Sequence, residues 1–349
     1  MEKLFSVTTK ISPIDGIKKY IVYILGIKLS FKQKWNIPQE DKALFDTVYQ
    51  YSEQGAPCSV MEHRKNVADL YKNLDETAKM HLDKLFYRIN KIVKLVFEGK
   101  HVDNSLIYDK DELDELEKVQ MYFSDIKEEN GYWQLKNYKL PERLFTPPVF
   151  YSKHGMHTLK TLDKLGDKVI LDVGCCIGDS ILVFRDFTKN KIIAFEPVSS
   201  VWEKAMKTVE LNNIKDVKIE KFALGDREEE TKINITPDKS DWGTMLVRDT
   251  GDCETIKSRK LDDYVRENNL KVGLIKVDIE GFEPKFLEGA IETIKEQKPI
   301  LLLSIYHNYH DFYKIKPWLE NLNLGYKFDF FKGMDGKAVC ETLLIAEVY

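Results

Sequence analysis

From Lys168 onward the chain alternates short apolar runs of strand length with stretches at helical spacing. The runs are "KVILDV", "KIIAFE", "VKIEKFAL", "VGLIKVD", "PILLLSIY", "YKFDFF" and "ETLLIAEV". Strands separated by helices imply an α/β fold, with a mostly parallel sheet covered on both faces. The last two runs are separated only by a turn containing Gly333 and Gly336, so they read as an antiparallel hairpin that closes the sheet.

The part before this alternation differs. Val67, Leu70, Leu74, Ala78, Leu82, Leu85, Ile89, Ile92 and Val96 share a helical face between Met61 and Phe97, and Gly99 stops it. A second pattern runs from Asp109, a natural cap, to Ile126. Residues 1–137 are therefore expected to form a mainly helical region and residues 138–349 the sheet domain. The connector "YKLPERLFTPPVFYSKHG" (Tyr138–Gly155) carries Pro141, Pro147 and Pro148, which disfavour helix there. Lys18–Lys34 is apolar with lysines on both flanks. It reads as a short helix running into a packed strand, with weak contact to a membrane surface as the second reading. A long amphipathic helix needs a partner for its stripe, either this chain's own sheet or a second copy in a homodimer.

Composition excludes several classes. Formal net charge is -4 over 349 residues, which argues against a general nucleic-acid binder. No apolar run reaches the roughly 18–20 residues of a membrane span, and the N-terminus lacks the three-part pattern of a secretory leader. The five cysteines form no Cys-x-x-Cys pair and are odd in number, as expected of reduced thiols in a cytoplasmic protein.

The chemistry is concentrated at strand ends. In an open parallel sheet, ligands bind at the carboxyl ends of the strands, near the point where strand order reverses. The first strand ends "LDVGCCIGDS", with Asp172 at its tip and Gly174 and Gly178 opening a tight turn into a helix. The spacing Asp-x-Gly-x-x-x-Gly is not the G-x-G-x-x-G of a dinucleotide site, which leaves a dehydrogenase a distant reading. An acid before the first glycine suits a ligand ammonium. Glu196, in "AFEP" with Pro197, ends the second strand and is placed to accept from ribose hydroxyls. The third strand ends "FALGD", where Phe222, Ala223 and Leu224 wall an adenine ring and Asp226 accepts from its amino group. An amino acid joined to adenosine is S-adenosylmethionine. Cys175 contributes backbone within the first turn. Tyr151 and Lys153, just before the first strand, are candidates for its carboxylate.

The segment from about Phe150 to Tyr349 resembles the FkbM family of S-adenosylmethionine-dependent methyltransferases. The resemblance is carried, in order, by "DVGCCIGDS", "AFEP", "TVELNN", "FALGD", "KLDDYV" and "LIKVDIEGFEPKFLEGA". "LLSIYHNYHDF" and "ETLLIAE" are similar to a subgroup found in bacterial surface-polysaccharide clusters. Cys175-Cys176 depart from the family's usual small residue and Asn. The resemblance implies the Rossmann-like, seven-stranded class I methyltransferase sheet and methyl transfer to oxygen. By subgroup, it implies a sugar acceptor in a nucleotide-sugar or surface-glycan precursor. A lipid, peptide or small metabolite, or a non-catalytic assembly role, are the alternatives.

Methyl transfer from a sulfonium needs an aligned oxygen and a group to take its proton. Asp278 ends the fourth strand in "IKVDIEGFE", with Glu280 and Glu283 following; Glu283 reads as an ordinary acid at a helix start. "SIYHNYHDF" carries Tyr306, His307 and His310 to the same mouth, and His307 is the expected general base. Tyr306, His310, Glu280 and Trp242 are the expected acceptor contacts, Trp242 by stacking on a sugar face. Asp278, Glu280 and His307 also suit magnesium or manganese.

Overall fold

A computed structural model of the chain describes residues 48–53, 55–234 and 253–349, together with the backbone of 5–12, 17–24 and 27–34. Strands β1 (Phe5–Ser12), β2 (Ile17–Ile24) and β3 (Ile27–Lys34) form an antiparallel sheet in that order. Ile24 is in register with Ile27, so Lys18–Lys34 is most of a hairpin and not a helix leading into a strand. Ile, Val and Tyr favour the extended backbone of both strands.

The apolar pattern from Met61 to Phe97 makes two helices, α1 (Val60–Tyr71) and α2 (Glu76–Phe97). The chain leaves α1 through Asn73 in the left-handed region, and the Asp75 side chain accepts from Ala78 N to start α2. Periodicity survives a short break, which is why one pattern covers both. A four-residue α3 (Asn104–Ile107) leads to α4 (Lys110–Phe123), where Asp109 and Glu112 form a reciprocal capping box. Short strands β4 (Lys127–Glu129), β5 (Tyr132–Leu135) and β6 (Tyr138–Leu140) follow. Pro147 and Pro148 open a single helical turn to Tyr151, at the positions where a missing N–H costs nothing.

The main sheet uses β7 (Val169–Val173), β8 (Ile192–Phe195) and β9 (Val217–Glu220). Next come β10 (Ala223–Leu224), β11 (Glu229–Asn234) and β12 (Cys253–Arg259), a separate small sheet ordered β10-β12-β11. The chain returns through β13 (Val272–Val277), β14 (Ile300–Ser304), β15 (Lys327–Phe331) and β16 (Leu343–Glu347). The seven-stranded order is β15-β16-β14-β13-β7-β8-β9. All neighbours are parallel except β16, which pairs antiparallel with both β14 and β15. The strand order reverses between β7 and β13, and both strands are buried throughout. Helices α5 (Asp179–Phe187), α6 (Ser199–Leu211), α7 (Leu261–Glu267), α8 (Glu283–Gly289), α9 (Ile291–Gln297) and α10 (Tyr309–Asn321) make the connections.

The stripe of α2 is covered by this chain itself. Leu82, Leu85, Ile89 and Ile92 belong to one buried cluster with Leu303, Phe330 and Leu344 of the sheet. Polar ties reinforce the join. The Tyr309 hydroxyl meets Asn66 Nδ2 at 3.0 Å and His63 Nδ1 at 3.1 Å, and His81 Nδ1 lies 2.7 Å from Asp329. No helix among the described residues is long and apolar enough to cross a membrane.

Candidate active site at the tips of β7, β8, β13 and β14

Asp172 is fully buried and stands in register with Lys276 on β13. The Lys276 ammonium lies 3.2 Å from Asp172 Oδ1 and donates to the Gly174 carbonyl at 2.7 Å. Asp172 thus meets the protein's own cation instead of an open mouth. Burial pushes its carboxyl up while Lys276 pulls it down, and burial prevails. For Lys276 the three neighbouring acids, Asp172, Asp278 and Asp179, outweigh burial and hold the ammonium above its ordinary range. A lone lysine in the apolar run "VGLIKVD", opposite Asp172, was the signal for this pair.

The turn is held as tightly. Gly174 N and Cys175 N both donate to the Phe195 carbonyl, at 3.0 and 3.2 Å, and Gly178 N donates to Cys175 O at 2.7 Å. Gly174 has φ +76°, and a Cβ there would stand 1.9 Å from the Asp278 carbonyl oxygen. Its small size is thus required by the tip of β13, before any ligand is considered. Cys175 is buried in the core. On β8, Glu196 is 7% exposed, and Oε1 accepts from Val198 N at 2.9 Å. Burial pushes its carboxyl up to about 7. Pro197 beside it is buried.

The adenine wall is only partly assembled as expected. Phe222 packs on Phe195 and Tyr264, and Ala223 lies half-buried. Leu224 points into the core. Asp226 is paired with Lys285 at 3.1 Å, which holds its carboxyl below the usual range. Tyr151 and Lys153 are not brought to the turn. The Tyr151 hydroxyl donates to Glu115 on α4 at 2.7 Å. Lys153 Nζ reaches Tyr138 and Asp186, the latter at 3.1 Å. Asp186 lies about 10 Å along α5 from the glycine turn, at 1.5 Å per residue. Trp242 lies outside the described residues.

Across the switch point, Asp278, Glu280 and Glu283 surround His307. Nε2 lies 3.2 Å from Asp278 Oδ1 and 3.8 Å from Glu280 Oε2, and Nδ1 lies 3.1 Å from Glu283 Oε1. Burial lowers the imidazole's pKa, but the two nearer carboxylates overcome this and push it up to about 11. This corrects the expected role. Carboxylates at both nitrogens favour the protonated ring, which works against a general base. Asp278 is held well below the usual range, since His307 and Lys276 outweigh its burial. Glu280 is a quarter exposed, and burial pushes it up to about 7. Glu283 is no simple helix-end acid: it is fully buried, and Oε1 also accepts from Ile279 N at 2.9 Å, tying off the turn that carries Asp278 and Glu280. The Tyr306 hydroxyl stands 3.4 Å from both Asp278 and Glu341. His310 is exposed on α10, while the next residue, Asp311, turns inward, fully buried.

His154, Asp311 and Glu341 also belong to this cluster. His154 is 4% exposed, and its Nε2 has no hydrogen-bond partner. Burial drives its pKa down to about 3, and the charges of Lys276 and Asp278 act on it. Asp311 and Glu341 carry carboxyls pushed up to about 7, chiefly by burial. Non-glycine residues in the left-handed region mark the segments around the site: His154 (φ 48°), Cys176 (φ 48°), Glu280 (φ 58°) and Glu341 (φ 64°). Each carries strain of order 1–3 kcal/mol, which the surroundings must hold in place.

Residues 172–328 match the family described as Methyltransferase FkbM domain. A curated relative, Methyltransferase 1 of Beauveria bassiana (strain ARSEF 2860), is 24% identical over 177 residues, 44% of this chain and 71% of its own. Among solved structures, the methyltransferase FkbM from Methylobacillus flagellatus KT superposes with a TM-score of 0.51 at 16% identity. That match covers 82% of this chain and 59% of the other, and likens the two in fold. The family match runs from the tip of β7 into β15 and so takes in the strand tips that carry Asp172, Glu196, Asp278 and His307.

Proposed function

We propose that the protein is an S-adenosylmethionine-dependent O-methyltransferase whose acceptor is a sugar hydroxyl in a nucleotide-sugar or surface-glycan precursor, acting in the cytoplasm. The observation that carries this reading is the contact between Gly174 and the Asp278 carbonyl, which brings the glycine turn of one strand against the acid tip of the next. A cofactor lying on the first is adjacent to an acceptor lying on the second.

The residues at the turn fit the cofactor. The Glu196 carboxylate sits at the end of β8, bonded to the backbone of Val198 and Cys176, and His154 Nε2 is a buried polar atom lacking a partner. When bound, the cofactor supplies an electrophilic methyl on a sulfonium. The chain's own work is alignment and proton removal. Alignment of a well-oriented pair is worth about 7–11 kcal/mol. Asp278, Tyr306 and Glu341 offer acceptors and a donor to a hydroxyl-rich ring. Glu280, with a carboxyl near 7 and partial exposure, is the group able to take the acceptor's proton at neutral pH. His307, set between Asp278 and Glu283, holds Asp278 in place. The sugar assignment is supported by the subgroup resemblance of "LLSIYHNYHDF" and "ETLLIAE".

The test is incubation with methyl-labelled cofactor and sugar-nucleotide and glycan extracts, followed by mass spectrometry. A labelled sugar is expected. Label appearing only in lipid or peptide overturns the sugar assignment, and no heat on titration with the cofactor overturns the enzyme reading.

A further inference from the structure

We propose that Asp278, Glu280 and His307 Nε2 hold a divalent cation, with Glu283 fixing the imidazole from its other nitrogen. The proposal rests on the methyl-transfer reading for its purpose but not for its test. Asp278, Glu283 and His307 each place a donor atom within 4.8 Å of the others. Donors in adjacent positions about an ion at 2.0–2.2 Å stand about 3 Å apart. Asp278 Oδ1 and Nε2 are 3.2 Å apart already, and Glu280, on a partly exposed side chain 3.8 Å away, needs only a small rotation.

A second observation points the same way. The His307 side chain is 7% exposed, yet neither ring nitrogen makes an aligned hydrogen bond; the carboxylates are close but lie off the donor direction. Glu283 Oε2 is likewise buried without a partner. A ring held between carboxylates, with Nε2 facing two of them and Nδ1 facing a buried third, has the layout of a metal-bound histidine oriented by a second carboxylate, the incoming ion displacing the Nε2 proton to solvent. One imidazole with carboxylate oxygens suits manganese or a similar ion. Such an ion lowers the pKa of a bound hydroxyl. Glu280 can give the ion one oxygen and keep the other for the departing proton.

The test uses the full chain after chelator treatment, titrated with Mn2+ and followed by the loss of the free-ion electron-spin signal, with and without S-adenosylhomocysteine. One tight equivalent is expected. Asp278→Asn and Glu280→Gln should abolish it, and Glu283→Gln should weaken it about 10–100-fold, with thermal melting reporting folding. No binding at millimolar Mn2+, or binding that the three variants leave unchanged, overturns the site. Calorimetry with S-adenosylhomocysteine on the same samples reads the cofactor site separately, so a failed ion site and a failed methyltransferase reading are distinguishable.

Discussion

The two halves of the site are built on different principles. The β7–β8 half is made of backbone: a glycine turn hung from the Phe195 carbonyl, one acid neutralised by Lys276, and one acid bonded to the chain beside it. The β13–β14 half is made of side-chain charge, with carboxyl groups from residues 278, 280, 283, 311 and 341 gathered near one imidazole. The first half can bind a fixed shape. The second concentrates potential, and its protonation states depend on each other. Binding of the cofactor and reactivity of the acceptor should therefore be separable by mutation.

The largest expected effect is on the fold. Lys276→Met leaves Asp172 buried without its cation and should cost about 3–5 kcal/mol, read as a lowered thermal midpoint. Adding Asp172→Asn should restore part of the loss. If the single variant is as stable as the parent, the ion pair does not anchor the turn.

His307→Gln comes next. With the imidazole gone, Asp278 and Glu280 lose their fixed placement, and kcat/KM for the acceptor should fall about 100-fold, while affinity for S-adenosylhomocysteine stays within twofold. An equal fall in both would join the halves that the geometry separates.

Glu196→Gln should weaken S-adenosylhomocysteine binding about tenfold, the scale of one lost hydrogen bond to a charged group. It should also flatten the pH dependence. In the parent, the carboxylate accepts from ribose most strongly when ionised, so affinity should drop as pH falls through about 7. Stability responds in the opposite sense. An acid whose pKa is raised by folding binds more protons folded than unfolded, so its contribution favours folding as pH falls from 7 toward 4.5. Calorimetry and melting between pH 5 and 8 would show the two slopes with opposite signs.

Tyr151→Phe should do least. Its hydroxyl serves Glu115, so stability should fall by at most about 1 kcal/mol, with cofactor affinity unchanged. A clear loss of affinity would extend the cofactor half into the segment before β7.

What the sequence reveals follows the same division. The order of strands and the positions of Asp172, Glu196 and Asp278 at their tips are legible because strand ends and glycine turns are local signals. The partners of those acids are not. Lys276 pairs with a residue 104 positions away in sequence, since 276 minus 172 is 104. Glu283 looks like any acid in a first helical turn until the fold brings His307 against it. The carboxylates that disfavour a base role for His307 are hidden for the same reason: a side chain's charge is set by neighbours that sequence distance conceals. At the N-terminus, helical periodicity concealed the break at Asn73.

The place of β16 has a consequence for how such a chain is made. β15 joins the sheet only through β16, the last of the described strands, which slots between it and β14. During synthesis, residues 327–331 must wait for residues 343–347 to leave the ribosome before either has a ladder to complete. Until then the margin of β14 stands bare, an apolar strand with open amides, and that interval is when a half-made chain is most exposed to mispairing.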